Sequence, residues 1–242
     1  MNSGAQLNGT QIDEIADGLF RVHTPVSLIP GGFSFNQYLL RDEQSLLFHT
    51  GPRSLFPQIR DAIATVLPLE KLHYIGFSHV ESDECGSLNQ FLAVAPYARP
   101  LCSRVAAMVS ITDLADRVPV SLADHEVLSL GQHSVRWIDA PHVPHGWENG
   151  FLMVDDIQAL LCGDLFTQPG AVHPPIIEDD ILGPSEAMRA QMDYYAHGPN
   201  TAAILQELAA LRPQILACMH GSAWRGDGSA LLTRLARALA GA

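Results

Sequence analysis

Within the eleven residues "FSHVESDECGS", positions 77 to 87, the chain places His79, Glu81, Asp83, Glu84 and Cys85. Groups crowded this closely repel one another unless something neutralises them, and a bound cation does so directly. Three other short stretches carry the same kind of group. His142 and His145 stand in "PHVPH", Asp164 in "CGDLF" and His220 in "CMHGS". The donors are imidazole nitrogens and carboxylate oxygens, with Cys85 one step off the series and read as packing. That mixture is harder than a Cys-rich structural zinc site and suits iron or manganese, with zinc as an alternative. No single residue carries the reading. A lone histidine is more often a surface or core group, Asp83 or Glu84 alone could open a helix, and Asp155 and Asp156 read as turn residues. The joint placement carries it.

Each group follows an apolar run that reads as a strand. "LHYIGFS" leads to His79, "VRWIDA" to His142 and His145, "ALLCG" to Asp164, and "QILACM" to His220. Strand ends lying side by side would bring all of them together. The remaining elements form the scaffold. "GLFRVHTPVSL" reads as one or two strands, and "FNQYLLRDEQSLLFHTG" as a hairpin turning at residues 41–44. Residues 54–66 have helical spacing with Ser54 as N-cap, and a second helix opens near Glu84 and runs to Pro96. "GFLMV" and "ALLCG" make another hairpin around "DDIQ", with helices expected near 185–196, 201–211 and 229–241 and "QILACM" as the last strand. Residues 168–184 read as a long Pro-rich loop, and Trp147, Phe166 and His173 are candidates for a pocket rim. Hairpins mixed with helices, without strict βαβ alternation, predict an α/β (α+β) protein of mixed sheets covered by helices.

Composition sets outer bounds. Apolar residues make up 47% of 242 residues, enough for a sizeable core. A net charge of −12 argues against nucleic acid or an anionic membrane surface as partner. No signal-like segment and no stretch long enough to span a bilayer is found. The four scattered cysteines read as free thiols in a reducing cytoplasm.

The joint pattern resembles the metallo-β-lactamase superfamily. His-x-Glu-x-Asp at 79–83 followed by Gly86 resembles its first metal motif, usually His-x-His-x-Asp-His-x-Gly. "LLCGDLF" resembles its bridging-aspartate strand, "CMHGSAW" its final ligand segment, and "NQYLL…LLFHTG" its opening hairpin, with His49 where Asp is common. Glu81 makes the chain similar to the diiron branch, the flavodiiron oxygen and nitric-oxide reductases and their oxygen-binding relatives. His145 and Asp164 have the eighteen intervening residues of that branch, whereas His142 has twenty-one.

The resemblance implies a fold, a site and an activity. The fold is an αββα sandwich of two mixed sheets flanked by helices, read as a single domain over residues 1–242. The first metal would take His79, Glu81, His145 and Asp164, and the second Asp83, Asp164 and His220. His142 would lie outside the ligand set, orienting a ligand or handling protons. Glu84 stands where the superfamily usually has His. It is either a further ligand and proton carrier, which would favour trivalent iron, or a group turned away to cap its helix. The implied activity is binding or reduction of dioxygen by two irons, as oxidase or sensor. A dinuclear hydrolase of an ester, lactone or thioester is the alternative. Only twenty-two residues follow His220 and no Gly-rich phosphate loop is found, so no flavin is expected and electrons would come from a separate donor protein. A homodimer is also implied.

Overall fold

The apolar runs pair into two seven-stranded sheets. The computed structural model describes residues 9–27 and 30–241. Residues 1–8, part of the stretch read for a signal, and Leu28, at the end of a predicted strand, lie outside them. The first sheet runs in spatial order β1 (Gln11–Ala16), β2 (Leu19–Val26), β3 (Phe33–Leu40), β4 (Ser45–Phe48), β5 (Leu72–Gly76), β6 (Arg99–Ser103) and β7 (Val120–Leu122). It is antiparallel up to β4 and parallel from there on. The second contains β8 (Val127–Ser129), β9 (Ser134–Asp139), β10 (Gly150–Val154), β11 (Ala159–Leu161), β12 (Ile176–Ile177), β13 (Ile215–Ala217) and β14 (Ala223–Arg225), in the order β12-β14-β13-β11-β10-β9-β8.

Three apolar layers hold this arrangement. Between the sheets, Tyr38, Leu46, Phe48 and Leu101 meet Trp137, Leu152, Leu161 and Ala217. Helices α1 (Phe56–Ala64) and α3 (Leu88–Val94) cover the outer face of the first sheet through Ile59, Ile63, Phe91 and Leu92. Helices α6 (Leu182–Met192), α7 (Thr201–Ala210) and α8 (Gly228–Ala240) cover the second through Leu182, Leu205, Leu208, Leu232 and Leu235. Each fully buried Leu or Phe contributes about 1.5–3 kcal/mol relative to exposure. Strands sandwiched this way are buried on both faces, which is why β4, β10, β11 and β13 read as continuous apolar runs without alternation. The αββα expectation holds.

Strand direction explains how the chemistry converges. β10 is antiparallel to both β9 and β11, and β11 is parallel to β13, so β9, β11 and β13 end on one side. Two backbone bonds tie the sheets at that side: Gly150 N donates to Ser78 O (2.9 Å) and Asn36 N to Met219 O (2.8 Å). The segments after β5, β9, β11 and β13 therefore share one rim.

Several expectations need correction. Ser54 lies in a 3₁₀ turn, Arg53–Leu55, and the N-cap of α1 is Leu55, with Pro in the first turn in place of a capping side chain. The helix expected from Glu84 to Pro96 is two, α2 (Ser82–Cys85) and α3, broken at Gly86 and Ser87. A Cβ at Gly86 would collide with the Ser82 carbonyl oxygen. The loop at 168–184 contains β12, and α6 starts at its end, before residue 185. β13 is followed by β14, because the short turn after His220 returns antiparallel to it. Short, weakly alternating segments carry no clear sequence pattern: β1, β6, β7, β8 and the helical stretch 104–114, built from α4 (Arg104–Ala106), a π-helical turn and α5 (Thr112–Leu114).

Candidate metal centre

The rim gathers the residues that the spacing singled out. His79 Nε2 stands 2.9 Å from Glu81 Oε2, and His145 Nε2 stands 3.1 Å from the same oxygen. Asp164 Oδ2 lies 3.3 Å from His145 Nε2 and 3.8 Å from His79 Nε2. One donor atom from each of these four residues fits within 4.8 Å of all the others. A second set adjoins the first: His220 Nε2 is 3.1 Å from Asp164 Oδ1 and 3.6 Å from Asp83 Oδ2. Asp164 thus faces two histidines with one oxygen and a third with the other.

The far side of each imidazole is anchored. His220 Nδ1 donates to Ser34 O (2.8 Å) and His145 Nδ1 to Tyr194 O (2.8 Å), while His79 Nδ1 lies 3.1 Å from Ser78 Oγ. In all three, Nε2 is left to face the cluster. Fixing one ring nitrogen in this way sets the tautomer and ring direction that a metal ligand needs.

Sequence reasoning missed the supports of the His220 turn. Asn36 Nδ2 donates to Cys218 O (2.8 Å) and Gly221 O (2.7 Å), Tyr38 Oη donates to Cys218 O (2.7 Å), and an Arg21 guanidinium nitrogen donates to Gly221 O (2.7 Å). Arg21, Asn36 and Tyr38 are fully buried. A buried Arg and Asn inside apolar strands were the only signal, since a buried polar group must find partners.

The charge balance shows what the cluster lacks. Burial alone would lower the pKa of His79, but the Glu81 hydrogen bond and the Glu84 and Asp164 charges raise it to about 10. Burial is likewise overcome at His220, where Asp164 and Asp83 raise it to about 9. Burial and the neighbouring Glu84 charge raise Asp83 to about 6. Glu81 is held well below the carboxylate range by His145 and His79. Burial would raise Asp164, but its close contact with His220 and the charges of His220, His79 and His145 bring it to about 2. The carboxylates thus demand positive charge, which only protons on the rings supply without a metal. Asp164 Oδ1 meets His220 at hydrogen-bond distance without the alignment of a regular bond, which leaves a buried oxygen incompletely satisfied. An imidazole–carboxylate set with converging Nε2 atoms and an unsatisfied shared oxygen fits a pair of hard cations.

These shifts set a pH dependence for the metal-free protein. Histidines raised above their ordinary 6.5 stabilise the fold fully below that pH and lose the contribution as pH climbs through about 9 to 10. Melting of chelator-treated protein should therefore fall steadily from near neutral to pH 10, whereas metal-loaded protein, its rings already deprotonated, should not follow that slope. Parallel slopes would contradict the charge assignment.

Other predicted residues sit elsewhere. Glu84 is fully enclosed against His49 and behind His79, neither solvent-facing nor capping α2, whose N-cap is Glu81. His142 is exposed at φ 64° and makes no side-chain hydrogen bond to the cluster among the described residues. Phe166 is fully buried among α6–α8 contacts, which places it in the core and not on a rim. His173 packs edge-on to His23 at 6.2 Å. Trp147 is 56% exposed beside a small hollow of about 80 Å³. A larger cavity of about 430 Å³ opens beside the cluster, lined by Glu81, Arg53, Val80, Leu88 and Asn89. Cys85 also lines it, with its thiol donating to Glu81 O (3.4 Å).

Comparison with known proteins places this site in context. Residues 33–221 match the family described as ODP family beta lactamase. Rubredoxin-oxygen oxidoreductase of Megalodesulfovibrio gigas is 28% identical over 212 residues, 83% of this chain and 51% of that protein. Nitric oxide reductase of Moorella thermoacetica is 25% identical, over 92% of this chain and 60% of that protein. The chain spans about half to three fifths of these relatives. A flavo di-iron protein mutant from Thermotoga maritima superposes with a TM-score of 0.82 at 17% identity, covering 97% of this chain and 62% of that one, a likeness of fold.

Proposed function

The chain belongs to the ODP family, as the metallo-β-lactamase-like domain of flavodiiron proteins, and from that membership we propose that it is a non-haem diiron protein that binds or reduces dioxygen. The observation that carries this reading is the two-sided contact of Asp164, Oδ2 toward His79 and His145 and Oδ1 toward His220. Glu81 supports iron over zinc, since a carboxylate stands where a hydrolytic zinc site of this superfamily usually has a third imidazole. The names of the two relatives, an oxygen oxidoreductase and a nitric oxide reductase, support redox chemistry on a diatomic gas.

His79, Glu81, His145 and Asp164 would hold one iron and Asp83, Asp164 and His220 the other. Two ferrous ions so held would supply electrons to a bound diatomic oxidant. The chain's own residues do the rest. Ser34 O, Tyr194 O and Ser78 Oγ hold the three rings with Nε2 inward. His79, Asp164 and His220 are nearly dry, whereas the Glu81 side chain is 51% exposed and that of His145 27%. A small reactant therefore has its most open access on the Glu81 and His145 side. The four free thiols support a reducing, cytoplasmic setting. Among the described residues no helix is long and apolar enough to cross a membrane. Electron delivery from a separate protein and assembly as a homodimer complete the proposal.

Protein purified aerobically without chelator or added zinc should carry about two irons per chain and absorb in the near ultraviolet. Supplied with a reductant, it should consume oxygen. Full zinc occupancy with esterase or lactonase turnover would overturn the reading in favour of a hydrolase.

A further inference from the structure

Behind the cluster, an imidazole and a carboxyl group meet away from all solvent. His49 follows β4 and Glu84 lies in α2; both side chains have zero exposure, and His49 Nε2 is 2.5 Å from Glu84 Oε2. Neither Glu84 oxygen has a hydrogen bond of regular alignment, so the contact is close but oblique. Ser78 Oγ joins them to the site, 3.2 Å from His49 Nε2 and 3.1 Å from His79 Nδ1. Glu84 Oε1 lies 3.8 Å from the same Nδ1. The Nε2 of His79 faces Glu81 and Asp164. Glu84 thus approaches His79 from the side away from the cluster. Among the described residues, neither Glu84 oxygen comes within ion-pair distance of His145 or His220, whereas its neighbour Asp83 reaches His220 at 3.6 Å.

The backbone locks this arrangement. Thr50 N donates to Glu84 O (2.8 Å) and His49 N to Gly76 O (2.8 Å). His49 itself is held at φ 68°, a region that side chains other than glycine enter only when their surroundings over-determine them.

We propose that Glu84 is not a metal ligand but, with His49 and Ser78, a positioning group that fixes His79 for the first metal and leaves the second metal to Asp83, Asp164 and His220 alone. The inference rests on the metal-pair reading above. A carboxylate behind a ligating imidazole fixes its orientation and raises its basicity, an effect of about 10–100-fold in metal affinity. The second position, one side chain short of the first, binds its ion more weakly. Both residues depart from the resembled motif, and in opposite senses: imidazole stands at 49 where Asp is common, and carboxylate at 84 where His is usual.

Two experiments test this. In metal-free protein, His49→Asp and Glu84→His should each lower the melting temperature, because each leaves like groups facing one another in a dry site, and the double variant should recover most of the loss. Losses that simply add would overturn the pairing. In metal-loaded protein, Glu84→Gln should still bind two ions at saturation. Its tighter site should weaken by about 10–100-fold, and the Mössbauer doublet of one iron should change while the other stays. Loss of one full metal equivalent would make Glu84 a ligand and overturn the positioning role. A wild-type chain that binds no metal would overturn that role together with the diiron reading. The stability cycle would still report on the pair separately.

Discussion

Asp164→Ala is expected to strip both metals from the protein. The residue's two carboxylate oxygens face different members of the cluster, at 3.3 and 3.8 Å from His145 and His79 on one side and 3.1 Å from His220 on the other. Removing it takes a charged ligand from each ion at once, and it leaves His79 and His220 without their common counter-charge in a site with about 3–5% exposure. Losing even an outer partner of a ligand costs about 10–100-fold in affinity, so losing a shared ligand should exceed that at both positions. Metal analysis after gel filtration should find near-zero iron. His142→Ala, at an exposed position, is the control and should retain both ions. Retention of one ion by Asp164→Ala would show that the two sets are independent. Loss of metal by His142→Ala would place that ring among the ligands.

Asn36→Ala should cost the protein a large share of its stability while touching no proposed ligand. Its amide nitrogen bonds two carbonyls of the His220 turn, Cys218 and Gly221, and its oxygen lies 2.9 Å from His23 Nδ1. Three buried bonds vanish at about 1 kcal/mol each, so unfolding should become easier by about 2–3 kcal/mol. For a chain of this length that lowers the melting temperature by roughly 4–12 °C. Tyr38 and Arg21 keep one bond on each carbonyl, so the turn should loosen without collapsing. The second metal, which depends on His220, should weaken before the first. A variant that melts like the wild type and binds both ions unchanged would remove Asn36 from the site's support.

The two halves of the site differed in how far the sequence revealed them. His79, Glu81, Asp83, His145, Asp164 and His220 were legible because each lies in the short segment that follows a strong apolar run, and the topology turns those segments into a shared rim. The hairpins were legible for the same reason. Their apolar strands flank short polar turns, and β3–β4 and β10–β11 pair as antiparallel neighbours. The supports were not legible. Ser34 and Asn36 reach the His220 turn from the other sheet, through a backbone carbonyl and a side-chain amide, and Ser78 acts through a hydroxyl beside His79; no local pattern marks such contacts. Glu84 could not be placed from sequence, because its direction depends on His49, thirty-five positions earlier, across the parallel β4–β5 pair. Phe166 looked like a rim residue from its place after Asp164, but its left-handed backbone at φ 60° turns the ring into the helical core.

The account depends on two hard cations sharing one carboxylate. Anomalous scattering at the iron edge, from crystals of protein prepared without chelator, tests that most directly. The expected map has one peak among His79, Glu81, His145 and Asp164 and a second among Asp83, Asp164 and His220, separated by about 3.5–4 Å as in other two-metal sites. A map with no iron peak at Asp164, or with zinc alone there, would contradict it.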